Sequence, residues 1–353
     1  MYRKLTLFVA ALVLAVPAAG LAQSSSDERA REKEQERIER AREKEQERLD
    51  HARELKEQAA ERARDRAERD RDRQREREER EKAGSLDTVV VFDAKGTVSV
   101  SCPGGAVIVV GSEKNEIRVR ARTDNGAIRF TSNGSRATLE PASGRGCSDG
   151  HFEMTVPVGS KVVATTWSGS VAVRGVHGDV DAHSQSGDVQ IRDAGGRLDV
   201  ESLSGDVVIT GVKGETNVNT VSGGVELTGA RADLAIESVS GDIELRDIIA
   251  KQIRTHTTSG DVSFAGQIID GGRYEFTTHS GEIVLALPND IGAELSVSTF
   301  SGGIESDFPI TLKAGEHGIG SSQAKRLNFT VGHGTARISA ETFSGDITLK
   351  RRR

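Results

Sequence analysis

"HSQSGDVQIRDAGGRLDVESLSGDVVIT", residues 183–210, says nearly the same thing twice. Ser186-Gly187-Asp188-Val189 returns as Ser204-Gly205-Asp206-Val207 after 18 residues. The Ser-Gly pair also stands at Ser168, Ser222, Ser240, Ser259, Ser280, Ser301 and Ser344. The first five are 18 apart, the next steps are 19, 21 and 21, and the last is 43, about two long units. So short and regular a period marks small stacked units.

Each unit has an internal register. Six residues before the Ser stands a mostly apolar residue, as in Val162, Val180, Leu198 and Leu234. Two before it is always a hydroxyl, from Thr166 and Ser184 to Thr299 and Thr342, and three after it is a Val or Ile. The unit is therefore a strand, a tight turn, a second strand and a looser turn often containing Gly, with side chains alternating in and out. Two short strands cannot bury a face alone, but coils stacked about 4.8 Å apart can. The expected fold is all-β: a parallel, right-handed β-solenoid of about 18–21 residues per coil. A β-propeller needs about 40 residues and four strands per blade. An antiparallel meander leaves the identical turn unexplained.

The turn itself reads as scaffolding, because a catalytic site would occur once. Gly at a fixed phase supplies positive φ, and the flanking Ser and Asp can bond exposed turn amides. The structural turns so identified are Ser186-Gly187-Asp188, Ser204-Gly205-Asp206, Ser240-Gly241-Asp242, Ser259-Gly260-Asp261 and Ser344-Gly345-Asp346. The hydroxyl two positions before each Ser is expected at the inner corner, where stacked Ser and Thr could bond one another along the axis. A column of turn acids could instead hold Ca²⁺, but each coil offers one acid, and Gly224 and Gly303 interrupt the file.

Around the repeat the composition changes sharply. Residues 1–22 carry Arg3 and Lys4, then an apolar run from Leu5 to Val16, then Gly20-Leu21-Ala22, the pattern of a secretory signal peptide. An uncleaved anchor is the alternative, though the run is short for a membrane span, and no later segment is apolar enough to cross one. The expected location is extracytoplasmic: periplasm, cell surface or secreted. In that setting Cys102 and Cys147 read as a disulfide, contributing about 4 kcal/mol in the chain-entropy model. Residues 23–84 are a charged helical stalk, with the octet "AREKEQER" at Ala30 and again at Ala41. Charge pairs at i,i+4 are expected to support it, and its few apolar residues leave room only for weak self-association as a coiled coil. Residues 86–350 are the solenoid: 86–160 as less regular N-terminal coils, 161–350 as the Ser-Gly-Asp repeats.

Candidate chemistry is sparse. His177, His183, His256 and His279 lack zinc spacing. Neither a GxSxG elbow nor a phosphate-binding glycine pattern occurs, so no catalytic, cofactor-binding or metal-binding residue is assigned. Trp167 is expected to cap the core by packing, with a sugar platform as the alternative. A net charge of −6 argues against nucleic acid as main partner.

The stretch "MTVPVGSKVVATTWSGSVAVRGV", its S-x-S-G-D-V successors and the closing "LALPNDIGAELSVSTFSGGIESDFP … ISAETFSGDITLK" resemble the bacterial "putative adhesin" family of β-strand-repeat domains of unknown function, over residues 86–350. The resemblance implies an exported or envelope-associated β-helix-like protein and supplies no catalytic residues. The expected function is that of a noncatalytic scaffold binding an envelope protein, glycan or cell-wall component. The alternatives are a carbohydrate-active β-helix enzyme and a structural or stress-linked envelope factor without a ligand.

Overall fold

The computed structural model describes residues 25–123, 126–142, 147, 149–309 and 325–352. The expected signal peptide, residues 1–22, lies outside them. The chain divides into two compact units, residues 1–75 and 76–353.

In the first unit lies most of a single α-helix, Ser25–Ala83, of 59 residues. That is about 88 Å at 1.5 Å per residue. Leu49 and Leu55 are exposed on it, 57% and 54%. Opposite charges stand at i,i+4, as Arg53 and Glu57, Arg64 and Glu68, Asp65 and Arg69, and Arg66 and Asp70 show, but like charges recur there too. Glu57, Glu61 and Asp65 follow one another at that spacing, as do Arg62 and Arg66. Among the described residues an ion pair joins Arg53 to Asp50 at i,i+3, 3.7 Å.

The second unit is a parallel β-solenoid. The first strands of successive coils, Val180–Ser186, Leu198–Ser204, Thr216–Ser222 and Leu234–Ser240, pair in parallel without a register slip. The second strands make another sheet, in which Val189, Val207 and Val225 stand in one buried file. A third, shorter ladder joins the loose turns, where the Gly195 amide donates to the Val176 carbonyl (3.0 Å) and that of Lys213 to Ala194 (3.0 Å). That corner needs a left-handed residue, supplied by Gly175, Asp193, Gly211, Gly229 and Asp247. Inward positions are mostly apolar and outward ones mostly polar, so the core is a narrow file of Val, Ile, Leu and Ala that widens at Phe264, Tyr274 and Phe276.

The tight turns approach one another through bare backbone. A Cβ on Gly223 would lie 2.2 Å from the Gly205 carbonyl oxygen, and one on Gly205 2.5 Å from that of Gly187. Both glycines also hold positive φ, 133° and 138°, so space and conformation each demand glycine there. The file runs Gly150, Gly105, Gly169, Gly187, Gly205, Gly223, Gly241, Gly260, Gly281, Gly345, Gly302.

That order departs from chain order at both ends. The last coil in sequence, Ala336–Ser344 and Ile347–Arg351, lies between the Ser280 coil and the Ser301 coil. The 43-residue gap is therefore not two stacked units. Part of it is Lys325–Val331, which runs antiparallel along Ala293–Ser301. At the other end, Thr97–Ser112 forms a complete coil without the Ser-Gly-Asp phrase, with Cys102 in register with Thr166 and Gly104 with Ser168. It is second in space, covered by Arg136–Pro141 and Gly150–Pro157. Residues 86–160 thus hold coil layers together with antiparallel strands, Glu116–Arg122 pairing Gly150–Pro157 and Ser85–Val91 in turn pairing Glu116–Arg122. A disulfide between Cys102 and Cys147, S–S 2.03 Å, ties the Thr97–Ser112 coil to the segment that covers it.

Gly223→Ala should lower stability by about 2–4 kcal/mol, from steric conflict and backbone strain together. The expected signature is a Tm lower by roughly 5–15 °C in a thermal melt. Deleting residues 336–353 should abolish amide-exchange protection across Ala293–Ser301, which would otherwise survive if coils stacked in chain order.

Candidate binding face

The repeat builds three columns along the tight-turn edge. The hydroxyl column is buried and does not bond hydroxyl to hydroxyl along the axis. Most of its members donate to backbone carbonyls, chiefly of glycine: Ser184 to Gly187 in its own coil (2.8 Å), Thr278 to Gly260 (3.1 Å) and Thr299 to Gly345 (2.9 Å) in neighbouring ones, and Thr166 to Cys102 (2.9 Å). A carbonyl is the nearer acceptor because the glycine backbones are packed against this corner. Thr220 and Ser238 have no hydrogen-bond partner for their buried hydroxyls.

In the acidic column, each Asp carboxylate accepts the amide at the same position of the next coil. Asp188 accepts from Asp206 (3.1 Å), Asp206 from Gly224 (2.9 Å), Asp242 from Asp261 (2.8 Å) and Asp261 from Glu282 (2.7 Å). Asp346 likewise takes the Gly303 amide at 2.6 Å. A carboxylate so occupied is a link between coils. Among the described residues no group of three His, Cys, Asp or Glu side chains could hold a metal ion.

The third column lies one residue before each Ser and points outward. In spatial order it runs Trp167, Gln185, Leu203, Val221, Val239, Thr258, His279, Phe343, Phe300. At about 4.8 Å per coil it extends about 38 Å. Leu203, Val221 and Val239 are about half exposed on three adjacent coils. At the far end His279 stacks on Phe343 (4.9 Å) and Phe343 on Phe300 (4.7 Å), three rings from three coils. Trp167 at the near end is 65% exposed, so it does not cap the core. An outward strand position follows the parity of its neighbours, and Thr166 and Val171 already occupy the interior.

Beside this column runs a polar one, in which His183 Nδ1 lies 3.1 Å from Glu201 Oε2. Between them is a shallow trough of about 400 Å³ whose lining includes Trp167, His183, Glu201, Leu203, Asn219 and Val221. His183 thus contacts a carboxylate of the next coil, and His279 joins a ring stack. This outward phase has no place in the strand-and-turn pattern described from the sequence, and neither does the buried loose-turn file Val176, Ala194, Val212 and Ala230. The signal of the outward phase was available: the residue before each Ser is Trp, Leu, Val or Phe in six coils of nine.

The chain matches the Toastrack DUF4097 family over residues 59–350 and belongs to it. The match reaches back into the charged helix, beyond the limit of 86 set by the sequence resemblance. Among solved structures, the chain is similar to a putative adhesin from Bacteroides fragilis, at 13% identity over 75% of this chain and 96% of that one, with a TM-score of 0.35. It is also similar to a putative cell adhesion protein from Clostridium sporogenes, at 10% identity over 76% and 100%, TM-score 0.24. No curated protein matches it.

Replacing Asp206 by Ala should lower Tm by about 2–4 °C, the loss of one ordinary hydrogen bond. Asp206→Asn keeps the accepting oxygen and should restore most of it, as read in parallel thermal melts.

Proposed function

We propose that the protein is an exported, noncatalytic scaffold whose solenoid binds an envelope or cell-surface protein along the column from Trp167 to Phe300. The carrying observation is that nine coils in register present this outward position, six of them with a large apolar side chain. Single exposed apolar residues are ordinary, but runs of them on neighbouring coils, here Leu203-Val221-Val239 and Phe343-Phe300, mark an interaction surface.

Ring geometry favours a protein over a glycan. Sugar stacking needs an open aromatic face, whereas Phe343 spends both faces on His279 and Phe300. The Phe343 ring offers only its edge, which suits apolar side chains. Export is part of the same proposal: it rests on the apolar run at residues 5–16 and the Cys102–Cys147 disulfide, a bond that persists in oxidising compartments. No helix among the described residues is long and apolar enough to cross a membrane. The charged helix serves as the stalk.

The test is in-cell crosslinking with the full chain as bait, compared with Leu203→Lys, Val221→Lys and Val239→Lys combined. The triple variant should melt within a few degrees of the parent, because these side chains lie outside the core, yet lose its crosslinked partner. Retention of the same partner by the triple variant would move the site elsewhere.

A further inference from the structure

Charge that balances along the helix Ser25–Ala83 does not balance around it. At 3.6 residues per turn the chain advances about 100° per residue, so spacings of three, four, seven and eleven return to one face. Arg62, Arg66, Arg69 and Arg73 therefore line up, all exposed. Arg37, Arg40, Lys44 and Arg48 precede them on the same side, with His51, Leu55 and Gln58 between the two groups. From residue 37 to residue 73 no acid falls within about 40° of the centre of this face. The acids gather about 100° around the helix, as Glu47, Glu54, Glu61, Asp65, Glu68 and Asp72 show.

This segregation places like charges at i,i+4, which opposes helix formation. A counter-charged ligand lying along the face would relieve that repulsion. We propose that the cationic face of this helix is a binding site for a linear polyphosphate-type polyanion, a chain bearing phosphate groups no more than about 5 Å apart. Successive cations rise by about 4.5 or 6 Å, so one such chain can meet all of them. A membrane surface fits less well, since an inserting helix needs an apolar face and this one offers Leu55 alone. Pairing with a second copy through exposed charges without an apolar seam is weak, whereas a polyanion gains by releasing its condensed counterions. The inference rests on the helix and is independent of the solenoid face.

The probe is labelled long-chain inorganic polyphosphate, titrated with the full chain and read by fluorescence anisotropy at 50 and 200 mM NaCl. Binding should weaken at least tenfold across that salt step, as expected for several phosphate contacts. R62Q/R66Q/R69Q/R73Q should bind at least tenfold more weakly at 50 mM, while the matching four Arg→Lys changes retain binding. E54Q/E57Q/E61Q/E68Q, on the other face, should bind more tightly. Should the Gln variant lose helicity by circular dichroism, the Lys and acid-face variants decide. The proposal is overturned by absence of binding at 50 mM, by equal binding of parent and Gln variant, or by failure of the acid-face variant to tighten. It is equally overturned if phosphatidylglycerol vesicles outcompete polyphosphate, or if the chain dimerises through the helix in a way that polyphosphate does not disrupt.

Discussion

The structure depends on one close approach: glycine backbone laid on glycine backbone at the tight turn of every coil. With the Gly223 α-carbon facing the Gly205 carbonyl, a gap sized for a side chain does not exist. The turns are held at the spacing that parallel strands require, and both flanking sheets inherit the same register. Everything else follows by translation. A Val in the core becomes a file of Val, a turn Asp becomes a chain of carboxylate-to-amide links, and an outward Leu becomes a ridge.

A stack built this way has two open ends, and each is closed by the same device. One coil is tucked inward, so that the terminal layer is formed from an interior stretch of the chain. The Ser344 coil sits inside the Ser301 coil, and Thr97–Ser112 sits inside the layer formed by Arg136–Pro141 and Gly150–Pro157. Antiparallel strands then cover part of the edges that remain, which otherwise invite pairing with other chains. The disulfide falls at one of these joints, where stacking alone has only one neighbour to rely on. Close to the other end, Tyr274 anchors the widened core, its hydroxyl donating to Ala250 O and accepting from Ile269 N, both at 2.8 Å. Burial raises the pKa of this phenol, so the folded chain keeps it neutral.

Repetition also shapes what such a molecule can do. Catalysis needs a singular cluster of groups with unlike environments, and translation along an axis works against it by making neighbours alike. Extended surfaces come readily from the same rule. The apolar column on the solenoid and the cationic face of the helix are both periodic features, one with the pitch of a coil and the other with the turn of a helix. Each suits a partner that is itself long.

Much of this was legible in the sequence because its information is local. The 18-residue period, the alternation within strands, the glycine phase and the charged helix are properties of adjacent residues, and neighbour stacking carries them into space unchanged. Three things were decided only by tertiary structure. Coil order at the ends was one, since the Ser344 phrase has the same register whichever coil it lies beside. The partners of the buried hydroxyls were another: Ser184 and Thr278 have the same position in the unit, yet one bonds its own coil and the other its neighbour. The third was the exposure of Trp167, because a lone aromatic beside a turn is apolar by composition but outward by strand parity. Short-range pattern specifies a unit and its faces; which unit lies next to which is set by contacts between residues far apart in the chain.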